Sequence, residues 1–78
     1  MILTETILGG RTFVRSSNLH SVGYSLMTRT LEIQFRNGRI YQYFDVPWEI
    51  YDRLMNSGSH GRFFAYFIRN AYPFRRIQ

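Results

Sequence analysis

The chain has 78 residues, no cysteine, and seven Phe, six Tyr and one Trp. That length allows one domain with a small, aromatic-rich core, and without thiols neither disulfides nor a thiolate zinc site can reinforce it. Net charge is +5 and every basic residue is Arg, a pairing of planar cations with aromatic rings that suits nucleic acid, although a +5 surface also serves solubility.

Residues 1–12 read as an N-terminal arm jointed at Gly9-Gly10, in which residues 4–8 either add an edge strand or stay disordered. The arm has no basic n-region and no continuous apolar run, so it is not read as a signal peptide. No stretch approaches the ~20 apolar residues of a membrane span. A cytoplasmic protein without a membrane role is expected.

Ser16-Ser17-Asn18 reads as a turn. Residues 19–25 form a short strand with Val22 and Tyr24 on one face, and a loop around residues 27–29 follows. Residues 30–36 alternate Leu31, Ile33 and Phe35 with Glu32, Gln34 and Arg36, which is the period of a half-buried strand. Asn37-Gly38 then suits a two-residue type I′ turn, and residues 39–44 return. Pro47 and Glu49 suit the start of a helix over residues 48–56, with Ile50, Tyr51, Leu54 and Met55 inward. Ser57-Gly58 stops it, and Ser59 caps a second helix over residues 60–70 that buries Phe63, Phe64, Phe67, Ile68 and Ala71. Pro73 ends that helix and residues 74–78 form an extended tail. The fold class is α+β: a three-stranded antiparallel meander, two short helices packed on one face, and an optional N-terminal strand.

A two-residue turn at Asn37-Gly38 places Phe35 opposite Ile40 and Glu32 opposite Tyr43. Leu31, Ile33, Phe35, Ile40 and Phe44 then face the core. Tyr41 and Tyr43 fall on the outer face with Arg36 and Arg39, as a platform on which unpaired bases can stack. Pairing of Ser25 with Thr30 sends Val22 and Tyr24 to the core, and Ser21 and Gly23 to the outer face. Arg62, Tyr66 and Arg69 share a face of the second helix by their spacing, and Arg75 and Arg76 follow in a segment with no acid after Asp52. These arginines suit phosphate, while Arg69 near a helix end also complements its dipole. Ser59-His60-Gly61-Arg62 can receive an anion, or can simply write a tight turn between helices. His20 and His60 lie far apart without metal-ligand spacing, and Asp45, Glu49 and Asp52 are explained by capping and solvation. The chain is therefore read as non-catalytic, with no cofactor and no metal.

Taken in order, Val22-Gly23-Tyr24, Leu31-x-Ile33-x-Phe35, Asn37-Gly38, Tyr41-Gln42-Tyr43, Val46-Pro47, Ser59-His60-Gly61-Arg62-Phe63-Phe64 and Tyr72-Pro73-Phe74-Arg75-Arg76-Ile77 resemble the KTSC domain. This short module occurs at the C-terminus of some lysyl-tRNA synthetases and as a stand-alone bacterial protein. The resemblance runs over about residues 16–77, within a domain taken as residues 13–78, and implies an accessory, non-catalytic module, with RNA as the suggested ligand. Ser25, where an acidic turn residue is usual, and Ala65-Tyr66, where a more polar pair is usual, depart from the pattern. The second departure favours a protein partner. Two functions are expected from these readings. One is RNA binding through Tyr41, Tyr43, Arg36, Arg39, Arg62, Arg69, Arg75 and Arg76. The other is a protein-interaction or homodimer surface that uses the same tyrosines or Tyr66.

Overall fold

The computed structural model describes residues 10–78, and its central hairpin differs by one residue from the expected register. Strands β3 (Thr30–Phe35) and β4 (Ile40–Tyr43) pair with Ile33 opposite Tyr41 and Leu31 opposite Tyr43. The connection is a three-residue loop. Gly38 N donates to Phe35 O at 2.9 Å, Phe35 N donates to Arg39 O at 2.9 Å, and Gly38 carries φ +90°. Asn37 does not adopt positive φ, as a type I′ turn requires, and its side-chain oxygen instead accepts from Arg39 N at 2.9 Å. Asn-Gly serves both loops; the longer one places two large rings over the core.

Because side chains alternate with a period of two, that single step exchanges the faces of β4. Tyr41 and Tyr43 join Leu31 and Ile33 on the helix-packed side, and Tyr43 is only 4% exposed. This corrects the expected outer platform. Ile40 moves to the opposite face beside Gln34, where it is still buried.

The other hairpin matches expectation. In β2 (Leu19–Ser25), Ser25 pairs with Thr30 and Tyr24 with Leu31, after an irregularity between Leu19 and Ser21. Ser16 Oγ accepts from the amides of Asn18 and Leu19, which makes the turn that leads in. The sheet has two more strands than the meander. β1 (Thr12–Phe13) pairs with β2, and β5 (Phe74–Arg76) pairs with β4, so the expected tail is an edge strand. The sheet is antiparallel in the order β1-β2-β3-β4-β5. The expected strand at residues 4–8 lies outside the described residues.

Helices α1 (Trp48–Met55) and α2 (His60–Phe67) intervene between β4 and β5. Their buried residues Leu54, Phe63 and Phe64 join Ile68, Val22, Leu31, Ile33 and Tyr43 in the core. Tyr51 stacks on Tyr24, with ring centres 5.0 Å apart, and the Tyr24 hydroxyl donates to Val46 O. Ser59 caps α2 by accepting from Arg62 N at 3.3 Å. α2 is shorter than expected. The amides of Ile68 and Arg69 both donate to Phe64 O, and a turn follows, so Phe67 and Ala71 end exposed. On the opposite face of the sheet, Arg11 donates to Ser21, Glu32 and Gln34, and Gln42 donates to Glu32 at 2.9 Å. Glu32 is fully buried, which an ionised carboxylate tolerates only with such partners. No helix among the described residues is long and apolar enough to cross a membrane.

Candidate functional site

The register that turns the tyrosines inward also lines them along a groove. Arg39, Tyr41 and Tyr43 alternate along one face of the returning chain. They form one wall of an open groove of about 410 Å³, completed by Asn18, Phe35 and Asn37, the α2 end with Phe64, Arg69 and Asn70, and Phe74 of β5. That volume falls within the range of small-ligand sites.

The floor is a connected set of rings. Phe35 meets Tyr41 edge-on at 5.7 Å and Phe64 at 5.3 Å; Tyr43 meets Phe64 edge-on at 5.5 Å; and Phe74 lies 5.8 Å from both tyrosines. Tyr41 is half-buried and Phe74 is exposed, so these two offer ring surface to a ligand. Above the floor, the Arg69 guanidinium lies 5.8 Å from the centre of the Phe64 ring, a cation–π contact. No carboxylate lines the groove. Among the described residues Arg39 and Arg69 form no ion pair, and the side-chain amides of Asn18 and Asn70 form no hydrogen bond. The groove is positive, flat-walled and supplied with free polar groups.

Tyr43 takes a different part from the one expected. Its ring lies beneath Phe64 and Phe74 and cannot act as an open stacking surface. Burial pushes its hydroxyl up to about 12, the neighbouring Tyr41 adds to this, and Arg69 partly offsets it. The group therefore stays a protonated donor under physiological conditions.

Of the eight expected site residues, the structure brings Arg39, Tyr41, Tyr43 and Arg69 into this groove. Arg76 pairs with Tyr41 across the β4–β5 ladder and shares its face. The other three lie elsewhere. The Arg36 Nε donates to Ser16 O at 3.0 Å and fastens the hairpin loop to the first turn. Arg75 pairs with Gln42, on the opposite face of the sheet from Arg76. Arg62 lines a shallow depression with Arg15 and Tyr66. The expected grouping of Arg62, Tyr66 and Arg69 fails because α2 ends at Phe67, before the helical spacing reaches Arg69. Asn18, Phe35, Asn37, Phe64, Asn70 and Phe74 were not expected at the site. Among the described residues no cluster of three or more His, Asp or Glu could hold a metal ion.

A small antiparallel sheet backed by two helices, with an aromatic and arginine-lined groove, defines an α+β domain. The chain matches the KTSC domain family over residues 15–72 and belongs to it. It is similar to a KTSC domain protein of Yersinia pestis, whose crystal structure superposes with a TM-score of 0.86 at 40% identity over 88% of this chain and 97% of that one. It is also 39% identical over 54 residues to a protein of Stutzerimonas stutzeri, covering 69% of this chain and 76% of that one. A lysine–tRNA ligase of Nostoc sp. (strain PCC 7120) is 35% identical over 54 residues. The chain spans about a tenth of that ligase's length, since the match covers 69% of this chain and 10% of the ligase.

Proposed function

We propose that this domain is a non-catalytic, single-stranded RNA-binding module of the cytoplasm, and that the β4–α2–β5 groove is its binding surface. The observation that carries the reading is the chemistry of the groove. It joins accessible aromatic surface on Tyr41 and Phe74 to two guanidiniums without ion pairs, and no carboxylate lines it. A ligand that satisfies both features is aromatic and anionic, as an unpaired nucleotide is. Relatives named lysine–tRNA ligase act on an RNA, which supports the same class of ligand.

Fluorescence anisotropy with a short unstructured RNA at low salt tests the proposal. Tyr41→Ala should weaken binding by about 1–3 kcal/mol, the worth of one stacked base. Arg39→Gln and Arg69→Gln should each reduce the salt slope by about one. Absence of binding at low salt, or indifference to all three substitutions, would rule it out.

One observation favours a second reading, a protein interface. Tyr66 is 75% and Phe67 47% exposed on the outer side of α2, and Phe67 lies beneath the Arg53 guanidinium at 5.7 Å. Tyr and Arg are frequent hot-spot residues. A dimer on a sizing column that forms without RNA and dissociates in Tyr66→Ala would favour it.

A further inference from the structure

The Tyr43 side chain combines deep burial with an unused donor. The residue is only 4% exposed, yet among the described residues its hydroxyl has no hydrogen-bond partner. Among the described residues no buried polar side-chain atom lacks a partner. The hydroxyl therefore keeps some contact with the surface, and Tyr43 is among the residues that line the groove. A tyrosine used only for packing would be served as well by Phe at this position.

Arg69 lines the same groove. Its guanidinium lies over Phe64, the ring that meets Tyr43 edge-on at 5.5 Å, and both residues line the groove. A neutral O–H donor and an unpaired guanidinium on one groove are a pair suited to a phosphate group. Tyr41 and Phe74 lie next to them with accessible ring surface. Arg39 is four residues along the chain from Tyr43, roughly 13 Å at ~3.3 Å per residue, which suits a separate phosphate.

We infer that the Tyr43 hydroxyl and the Arg69 guanidinium form a phosphate seat, so that the groove holds one nucleotide unit with its base against Tyr41 and Phe74. This rests on the RNA-binding reading and narrows it to a mononucleotide subsite. Tyr43 has a second use here, as a donor to the ligand, beside its place in the core. The Arg39 end of the groove receives the continuing strand.

The test titrates labelled protein with adenosine 5′-monophosphate, with adenosine and with a short unstructured RNA, followed by NMR. Wild type is compared with Tyr43→Phe, Arg69→Gln and Tyr41→Ala, and melting curves confirm that each is folded. The seat predicts that the wild type prefers the monophosphate to adenosine by about tenfold to a hundredfold, the scale of a charge-assisted hydrogen bond. Tyr43→Phe and Arg69→Gln should each remove most of that preference, weakening the monophosphate more than adenosine. Tyr41→Ala should weaken both ligands alike. Equal binding of monophosphate and adenosine, or a preference untouched by Tyr43→Phe, overturns the seat. If RNA still binds the groove in that case, the RNA-binding reading stands without it. A Tyr43-dependent preference in a protein that does not bind RNA would keep the seat and reject the RNA reading. No binding of any ligand rejects both.

Discussion

Truncating the two β4 tyrosines should have very unequal effects. Tyr43 is 4% exposed and enclosed by Phe64 and Phe74, so Tyr43→Ala removes a buried ring and leaves a cavity. Truncations of that kind cost about 3–5 kcal/mol, and the three aromatic pairs of Tyr43, worth about 0.5–1.5 kcal/mol each, place it at the upper end. A chain of 78 residues has roughly 4–12 kcal/mol of total stability at ~0.05–0.15 kcal/mol per residue. Tyr43→Ala should thus be largely unfolded or close to it. Tyr41 is half-buried at the groove, and Tyr41→Ala should cost about 1–2 kcal/mol. Tyr43→Phe keeps the packing and loses a hydroxyl without an internal partner, so it should stay within about 1 kcal/mol of wild type. Urea unfolding followed by far-ultraviolet circular dichroism gives all three values. Had the hairpin closed with a two-residue turn, both rings would face outward and both truncations would be mild. A cost below about 1 kcal/mol for Tyr43→Ala would therefore refute the register and the groove built on it.

Other expectations concern the turn, the buried ion pair and the phenol. Gly38→Val should cost about 1–2 kcal/mol, because Gly38 has φ +90°. Asn37→Ala should cost less than about 1 kcal/mol, the worth of its bond to Arg39 N; comparable costs in melting experiments would indicate a type I′ turn. Arg11→Met removes the ionic partner of the fully buried Glu32 and should lower stability by about 2–4 kcal/mol, with Glu32→Gln in the same background recovering part of it. The Tyr43 hydroxyl holds its proton to about 12 in the fold, against about 10 in an unfolded chain. Its contribution is fully present below about pH 10 and is lost as pH rises through about 12, at most about 3 kcal/mol. Urea midpoints measured against pH should show that loss in wild type and lack it in Tyr43→Phe.

Much of the architecture was legible because local rules and the fold agree. The pairing of Ser25 with Thr30, the Ser59 cap and the inward residues of α1 each follow from alternation, capping or helical spacing, and each appears in the structure. The β3–β4 register was not legible, because Asn37-Gly38 satisfies a two-residue and a three-residue loop alike. Choosing between them depends on which face of β4 the helices cover, a tertiary fact. β5 escaped for a related reason. Phe74-Arg75-Arg76 is too short to show alternation, and its order comes from backbone pairing with β4. The groove gathers a turn at Asn18, a hairpin, the end of α2 and a three-residue strand, and no motif spans those pieces. Charge and aromatic content did not group these residues; only the register showed which arginines and which rings stand together.

The most direct test of the account maps RNA onto the folded domain. Titration of isotope-labelled protein with a short unstructured RNA at low salt should shift the resonances of Arg39, Tyr41, Arg69, Asn70 and Phe74 together, with Arg62, Tyr66 and Arg75 nearly still. Shifts centred on Arg62 and Tyr66, or no shifts at low salt, would contradict a nucleotide-binding groove between β4, α2 and β5.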